Sequence, residues 1–554
     1  MPPLFSKLSE PATLCVGAVG ALLVAHCVYH REHLLNAVRI ARRNVLFWRS
    51  MRRRFENRRL DRLNTVGEGR RSNWMWKKSV YSADAVDSGE DDDSEDDGEG
   101  RATSADGLMT AQKKLVLVMV GLPARGKSFV VHKATRYITW LGFPTKIFNV
   151  GNYRRQVGLA GEDAAFFSAN NMGAKRLREE MAMRVLDDLI AWLEADGHVA
   201  VFDATNTTKL RRAEILKRVK SHPHIRVMFV ESICDNEELL AANYRRKLQN
   251  DDYAGRDPEQ ALADFMQRVR EYEQVYQTVE DSEDDGDACY VKVYNAGEKI
   301  QARFCQGFLQ SHIVSLLQNI HLFPRRIWLV RPGPSTTSRR GILGLDTDLS
   351  EEGHVVALAI ANFMRQQTFV RPFEIWTSAM KASRQTASYI GPRHVKRFVA
   401  TTLLNELGGG DFEGLTYTEM RQCYPKHFHA REQDKLRYRY PGVGGESYVD
   451  VISRLRSLII EFERKKRDVL VICNESVLRC LLGYFVGIPA EKVPHLDSYE
   501  NTVIELSPHR DGCDMKLIPL DLDAVRCAEE SPCGLPTDAH RPPVVQRVAR
   551  SMSS

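Results

Sequence analysis

The feature that most limits the fold of this chain is the octapeptide at residues 121–128, Gly-Leu-Pro-Ala-Arg-Gly-Lys-Ser. It satisfies the pattern G-x-x-x-x-G-K-[ST] at every fixed position. An apolar run at 115–120 precedes it, and a helix-compatible stretch at 129–141 follows. In this strand–loop–helix order, backbone N–H groups and the positive end of the helix surround the phosphates of a nucleotide. A glycine-rich turn with a surface lysine is the less favoured interpretation.

The octapeptide predicts ATP and Mg²⁺ as cofactors. Lys127 is expected to reach the β- and γ-phosphates, and Ser128 to help hold Mg²⁺. The candidate nucleotide ligands are Gly121, Leu122, Pro123, Ala124, Arg125, Gly126, Lys127 and Ser128.

Short β-type runs alternate with amphipathic stretches such as 174–195 and 210–219. The first four runs predict buried parallel strands at 115–120, 145–149, 199–202 and 227–231. This order predicts an α/β domain with a doubly wound parallel sheet and helices on both faces. A second α/β domain is predicted from the later runs at 327–330, 373–376, 398–404 and 469–473.

Composition divides the chain into four segments. We expect an N-terminal extension at 1–110, a P-loop domain at 111–323, a second α/β domain at 324–525 and a disordered tail at 526–554. Within the extension, residues 84–99 are acidic and nearly free of large apolar side chains, which predicts a disordered linker.

Residues 13–60 of the extension suggest association with a membrane. An apolar run at 13–29 is followed by an arginine-dense stretch. Three interpretations stay open: a signal anchor with everything after it in the cytosol, an interfacial helix on anionic lipid, and an amphipathic helix packed on the protein itself.

Charge and cysteine content narrow the classes of partner and the cellular compartments that fit this chain. The net charge of +6 gives no case for nucleic-acid binding. The 11 cysteines include no C-x-x-C pair, which favours free thiols in a reducing compartment, here the cytoplasm. Oligomeric state is left open, with a homodimer as the candidate.

The octapeptide accounts only for the nucleotide, so a molecule that accepts its phosphoryl group must be bound by other residues. Asp203 follows the strand predicted at 199–202, at the edge where open α/β sheets bind ligands. It can hold Mg²⁺ or accept a proton from an attacking hydroxyl, and its alternative role is to cap the next helix. Basic side chains recur at segment ends, as a second anionic ligand requires. They are Arg154, Arg155, Arg178, Arg211, Arg212, Lys247 and Arg268.

Four motifs resemble the bifunctional 6-phosphofructo-2-kinase/fructose-2,6-bisphosphatase family over residues 113–520. They are the octapeptide, Asn-Val-Gly-Asn-Tyr-Arg-Arg from residue 149, Val-Phe-Asp-Ala-Thr-Asn-Thr-Thr from residue 201, and Glu-Ser-Ile-Cys from residue 231. The resemblance implies that the first domain transfers the γ-phosphoryl group of MgATP to the 2-hydroxyl of fructose 6-phosphate, forming fructose 2,6-bisphosphate.

The resemblance also assigns residues. It implies that Asp203 and Cys234 lie at active-site positions and that Asn243 lies on the nucleotide side. Fructose 6-phosphate would be held by Arg154, Arg178, Thr205, Arg211, Arg268 and Tyr272. The family lysine that bridges the two substrates lies five residues after the asparagine, whereas here Lys247 lies four after Asn243.

The second domain resembles the family's bisphosphatase half, a histidine phosphatase, but departs from it at three positions. Pro332 stands where the nucleophilic histidine is expected, Asn474 where the second histidine is expected, and Ala382 where an arginine clamps phosphate. Proline has no nucleophilic nitrogen, so Glu406, the retained general acid, has no partner. Arg384, His354 and His394 are the nearest substitutes.

This pattern predicts the activity of each domain. We expect an active kinase domain joined to a catalytically dead phosphatase domain. The rivals are a P-loop kinase for another hydroxyl acceptor and a non-catalytic scaffold that binds ATP or sugar phosphate. Tyr424, Arg431 and Lys435 match sugar-phosphate positions of the family, either as a surviving effector pocket or as residues kept for folding.

Overall fold

The structure is a computed structural model that describes residues 113–168, 170–250, 252–253, 255–530 and 547–548. The described residues fall within one compact unit. The predictions for the apolar run, the arginine-dense stretch and the acidic linker concern residues outside this part. Within it, no helix combines the length and apolar character needed to cross a bilayer.

The first half of the described chain contains a six-stranded sheet. Its strands are β1 (Lys114–Val120), β2 (Thr145–Asn149), β3 (Val199–Asp203), β4 (Ile225–Ile233), β5 (Tyr290–Tyr294) and β6 (Lys299–Arg303). Their spatial order is β2-β3-β1-β4-β5-β6. The first five are parallel and β6 joins β5 antiparallel. All four strands predicted for this half are present and parallel.

Helices cover both faces of this sheet. They are α1 (Lys127–Trp140), α2 (Val150–Gln156), α3 (Ala164–Phe167), α4 (Met172–Glu194), α5 (Lys209–Lys220), α6 (Glu237–Lys247), α7 (Pro258–Val275) and α8 (Phe308–Leu317). Alternate residues of β1 point to opposite faces. Leu117 and Met119 pack in one core with α1 and α8, and Val116 and Val118 in another with α4 and α5. The doubly wound arrangement is therefore confirmed.

The second half contains a seven-stranded sheet with the order β13-β12-β11-β7-β10-β8-β9. Its strands are β7 (Ile327–Val330), β8 (Phe373–Ser378), β9 (Val395–Thr401), β10 (Val469–Ile472), β11 (Thr502–Pro508), β12 (Cys513–Pro519) and β13 (Arg547–Val548). The central strands are parallel, and β11, β12 and β13 are antiparallel. All four predicted strands are present, although 402–404 forms a 3₁₀ turn.

The second half also contains helices. They are α9 (Glu351–Gln366), α10 (Lys381–Ser388), α11 (Tyr417–Cys423), α12 (Pro425–Gln433), α13 (Tyr448–Arg464), α14 (Glu475–Val486) and α15 (Leu522–Glu530). α15 continues past residue 526, where the sequence predicts the tail to begin, and β13 pairs with β12 inside that predicted tail.

The two halves share one apolar core. Residues of α1, among them Tyr137 and Trp140, pack in the same buried cluster as residues of α13 and α14. The indole Nε1 of Trp140 donates to the carbonyl oxygen of Cys480 on α14 at 2.8 Å. The helix that follows the phosphate-binding loop is thus held by the second half of the chain as well as by its own sheet.

Candidate active site

The phosphate-binding loop joins β1 to α1 through two glycines at positive φ. Gly121 has φ 133° and Gly126 has φ 95°. A Cβ on Gly121 would lie 2.5 Å from the carbonyl oxygen of Ser232 on β4, so a larger residue does not fit there. The hydroxyl of Ser232 donates to the carbonyl oxygen of Arg125 at 2.7 Å. β4 therefore fixes the shape of the loop.

The first turn of α1 is suited to an anion. The helix begins at Lys127, two residues before the stretch predicted from the sequence, and no side chain caps it. Its first N–H groups thus lack an intrahelical partner and a side-chain cap, and they lie beside the glycine-rich loop. This arrangement is the one that the octapeptide predicts.

Lys127 folds back onto the loop. Its ammonium donates to the carbonyl oxygens of Gly121 and Leu122, each at 2.7 Å. Desolvation by burial lowers the pKa of Lys127 to about 7, with Asp203 opposing that change and Lys247 adding to it. A phosphate group would supply the negative charge that this ammonium lacks in the ligand-free protein.

Asp203 ends β3 and points its carboxylate into the same cavity that Lys127 lines. The carboxylate is buried and accepts a hydrogen bond from the Asn149 side chain at 2.6 Å. Its alternative role as a helix cap is excluded, because the Thr208 side chain caps α5. Asp203 is therefore available to a ligand.

Lys247 reaches the cavity despite its shifted spacing. Asn243 and Lys247 both lie on α6 and both line the cavity. Their separation of four residues is about one helical turn, which places them on the same face. Desolvation lowers the pKa of Lys247, while Asp203 acts in the opposite direction.

A group of arginines lines the rest of this cavity, which has a volume of about 460 Å³. Arg154, Arg155 and Arg268 share one buried carboxylate, that of Asp252. The two oxygens of Asp252 accept from Arg154 at 2.6 and 2.7 Å. Burial acts to raise the pKa of Asp252, but these guanidinium groups hold it below its usual range. No motif in the sequence singles out Asp252 as a site residue.

Two further arginines approach from α4 and α5. Arg178 donates to the carbonyl oxygen of Phe166 at 2.7 Å, and desolvation lowers its pKa. Arg211 forms an ion pair with Glu179. The cavity thus collects more positive than negative groups around one volume, as a second phosphorylated ligand requires.

Most of the predicted site residues line this one cavity. They are Pro123, Ala124, Gly126, Lys127, Ser128, Arg154, Arg178, Asp203, Thr205, Arg211, Asn243, Lys247, Arg268 and Tyr272. Gly121, Leu122 and Arg125 belong to the loop but do not line the cavity; Arg125 bonds to Tyr244 and Glu273. Cys234 is not among the lining residues either. Burial raises the pKa of its thiol, which does not suit it to act as a nucleophile.

Two lining residues come from the second domain. Arg510 and Asp511 lie in the turn between β11 and β12. Arg510 donates to the side-chain oxygen of Asn243, whose amide nitrogen donates to the carbonyl of Ala124 at 2.6 Å. Asp511 forms an ion pair with Arg246 on α6. No motif connects residues 243 and 510, so the sequence offers no signal for this contact.

A second cavity, of about 670 Å³, lies in the second domain. Pro332 follows β7 and Asn474 follows β10, and both line it together with Ala382 and Glu406. The backbone N–H of Ser476 donates to Glu406 at 3.3 Å, and its hydroxyl also bonds there. No histidine is present among the described residues that line this cavity.

The residues named above as the nearest substitutes for the two missing histidines and the missing arginine lie outside this cavity. Arg384, His354 and His394 are not among the lining residues. His354 bonds to the Tyr389 hydroxyl at 2.8 Å. Tyr424 also lies outside the lining and contacts Phe412.

Positive charge remains at another part of the second cavity. Arg431 and Lys435 line it; Arg431 donates to the Tyr440 hydroxyl at 2.9 Å, and Lys435 pairs with Glu432 at 3.3 Å. These contacts to neighbouring side chains support the interpretation that both residues are kept for folding.

Two family models match the two halves of the chain. The family model for 6-phosphofructo-2-kinase matches residues 104–324. The model for the histidine phosphatase superfamily, branch 1, matches residues 327–520. The matches meet near residue 325, just before β7 begins the second sheet.

Three relatives show the extent of the similarity. A probable 6-phosphofructo-2-kinase of Schizosaccharomyces pombe is 39% identical over 462 residues, covering 73% of this chain and 69% of the relative. The 6-phosphofructo-2-kinase/fructose-2,6-bisphosphatase 1 proteins of Mus musculus and Homo sapiens are 41% and 42% identical over 419 residues, covering 75% of this chain and 87% of each relative. The chain belongs to the 6-phosphofructo-2-kinase/fructose-2,6-bisphosphatase family.

Proposed function

We propose that this protein transfers the γ-phosphoryl group of MgATP to the 2-hydroxyl of fructose 6-phosphate and does not hydrolyse the fructose 2,6-bisphosphate that it makes. One observation carries the kinase part. The phosphate-binding loop, Asp203 and the arginine group all line a single cavity. A nucleotide and a second phosphorylated ligand can therefore meet there.

The residues suggest how the transfer proceeds. The 2-hydroxyl oxygen attacks the γ-phosphorus, and the bond from that phosphorus to the β,γ-bridging oxygen breaks, so that ADP leaves. The carboxylate of Asp203 accepts the hydroxyl proton. Lys127 and Lys247 offset charge on the phosphoryl oxygens, while Arg154 and Arg268 orient the sugar phosphate. No covalent enzyme intermediate is needed.

The oxygen ligands near the loop fit Mg²⁺. The Ser128 hydroxyl and the Asp203 carboxylate both line the cavity, and oxygen atoms are the ligands that Mg²⁺ prefers. The ion would enter with ATP and offset charge on the β- and γ-phosphates. Thr205 and Tyr272, which also line the cavity, would contact the sugar.

The loss of hydrolysis rests on the second cavity. A histidine phosphatase forms a phosphohistidine, and Pro332 offers no nitrogen for it. Asn474 and Ala382 stand in the same cavity at the positions where the family has its second histidine and its phosphate-clamping arginine. Because these groups act as a unit, losing the nucleophile alone costs most of the rate. The Schizosaccharomyces pombe relative, whose name refers to the kinase alone, is consistent with this proposal.

The test is an assay of the full-length protein in both directions. With MgATP and fructose 6-phosphate we expect fructose 2,6-bisphosphate, detected by ³¹P NMR, and none from the Lys127→Met variant. A panel of other hexose phosphates tests the acceptor, and faster ADP release with one of them would overturn the assignment. Equal product from wild type and Lys127→Met would indicate a binding scaffold. Phosphate release from added fructose 2,6-bisphosphate would contradict the loss of hydrolysis.

The cellular setting is part of the proposal. The described cysteines are free thiols, which supports a reducing compartment such as the cytoplasm. Membrane association through residues 13–60 and a homodimer stay predictions. Comparing detergent and carbonate extraction of full-length protein with a variant starting at residue 60 tests the first, and sedimentation of the purified protein tests the second.

A further inference from the structure

The helix that follows the phosphate-binding loop carries two cations on the face that meets the second domain. Lys133 and Arg136 lie on α1, and both approach Glu463 near the end of α13. The Lys133 ammonium lies 2.9 Å from each carboxylate oxygen. Arg136 lies 3.4 Å from one of them.

The Glu463 carboxylate is wholly enclosed. Its side chain has 0% exposure, and that of Lys133 has 4%. Arg325, which precedes β7, contributes a third cation at 3.2 Å, and the Tyr484 hydroxyl donates at 2.7 Å. One carboxylate thus serves three buried cations that come from both domains. We call Glu463, Lys133, Arg136, Arg325 and Tyr484 the interdomain cluster.

Neutralising this carboxylate would leave like charges facing one another in a dry interior. Burial acts to raise the pKa of Glu463, but the adjacent Lys133, Arg325 and Arg136 hold that pKa far below its usual range. Desolvation lowers the pKa of Lys133 to about 8, against the opposing charge of Glu463. Removing one partner from such a group is far more disruptive than removing the whole group.

The cluster acts on the element that forms the nucleotide site. Lys133 lies six residues after Lys127 on the same helix, a distance of about 9 Å along its axis. Arg136 also donates to the carbonyl oxygen of Phe485 at 3.0 Å, so α1 is attached to α14 as well. A shift of α1 by about 1 Å would move every N–H group of its first turn relative to the phosphates.

We propose that Glu463 of the phosphatase-like domain is a positioning residue for the kinase: by holding Lys133 and Arg136, it fixes the phosphate-binding end of α1. The second domain then has a role in phosphoryl transfer that needs no hydrolytic chemistry. This inference rests on the proposed nucleotide site. It concerns the affinity for MgATP and not the sugar-phosphate contacts, which lie on other elements.

The test compares Glu463→Gln with a matched control, Glu374→Gln, in the full-length protein. Glu374 on β8 is also buried and ion-paired, to Lys465 at 2.8 Å, and it bonds to the Trp376 indole at 3.1 Å. Neither of these contacts involves α1. Both variants lose one buried carboxylate of the same domain, so both should lower the melting temperature.

Only Glu463→Gln should change nucleotide binding. We expect its dissociation constant for the Mg²⁺ complex of β,γ-imido-ATP, measured by calorimetry, to rise about tenfold or more, with Glu374→Gln close to wild type. In steady state the KM for MgATP should rise while the KM for fructose 6-phosphate stays near wild type. Glu463→Asp, which keeps the charge, should recover part of the affinity.

Several results would overturn the inference. Equal nucleotide affinity in wild type and Glu463→Gln would do so, as would an equal loss in Glu374→Gln. If Glu463→Gln does not fold, Lys133→Met provides the same test from the other side of the ion pair, and unchanged affinity there counts against the inference. Wild type that does not bind the nucleotide would remove the proposed function and this inference together.

Discussion

Proton uptake on nucleotide binding follows from the environment of Lys127. Its pKa of about 7 means that about half of the side chains are neutral at pH 7 in the ligand-free protein. Nucleotide phosphates favour the charged form, so binding should draw in about 0.5 proton at pH 7, about 0.1 at pH 6 and about 0.9 at pH 8. The same shift lowers affinity about fivefold, or about 1 kcal/mol, between pH 7 and pH 8.

The direction of the pH dependence follows from the direction in which the pKa of Lys127 is shifted. The ligand-free pKa is lowered and the bound pKa is raised again, so binding is strongest below pH 7 and weakens as pH rises through 7. For folding the opposite holds. Between pH 7 and the ordinary lysine value of 10.5, the unfolded chain binds more protons at Lys127 than the folded one, so this residue's contribution to stability rises with pH.

Calorimetry measures this uptake directly. The Mg²⁺ complex of β,γ-imido-ATP is titrated into the protein in buffers of different ionisation enthalpy, and the slope of observed enthalpy against ionisation enthalpy gives the protons bound. Lys127→Arg is the matched control, because a guanidinium keeps its proton throughout this range. Lys247, whose pKa desolvation also lowers, is present in both proteins. Identical slopes for wild type and Lys127→Arg would refute the reasoning.

Three further predictions concern single carboxylates and the second domain. Asp203→Asn should lower synthesis by about 10²–10⁴-fold, because it removes the proton acceptor; synthesis at the wild-type rate would contradict that role. Asp252→Asn leaves a buried guanidinium without its partner, and the steady-state KM for fructose 6-phosphate should rise about tenfold with little change in the KM for MgATP. Pro332→His alone should not restore hydrolysis, because Asn474 and Ala382 still replace the family's second histidine and its phosphate-clamping arginine; radiolabelled phosphate trapped on the variant would show otherwise.

The local parts of the kinase site could be predicted from the sequence. The octapeptide specifies its own loop, since the glycines, the lysine and the helix start are neighbours in the chain. Asp203 was also predictable, because the end of a buried parallel strand is where such sheets bind ligands. Lys247 was harder to place, and the structure resolves it by showing Asn243 and Lys247 one turn apart on α6.

The contacts between distant segments could not be predicted. The role of Asp252 becomes visible only in the structure, where three arginines from other elements form ion pairs with it. Arg510 reaches Asn243 across 267 positions of the chain. Glu463 looks like one more charged residue of an amphipathic helix until the packing of α13 against α1 encloses it. Hydrophobic periodicity predicts which faces are buried, but not which partner covers them.

One apolar core continues from α1 into α13 and α14. The first half of the chain therefore cannot be separated from the second without exposing apolar surface. A chain ending before β7 would expose the faces of Tyr137 and Trp140 to water and would tend to aggregate. Pro332 and Asn474, which follow strands β7 and β10, line a cavity and are not part of that core. The loss of hydrolysis proposed above therefore concerns side chains around a cavity, while the second half of the chain still covers the helix that follows the phosphate-binding loop.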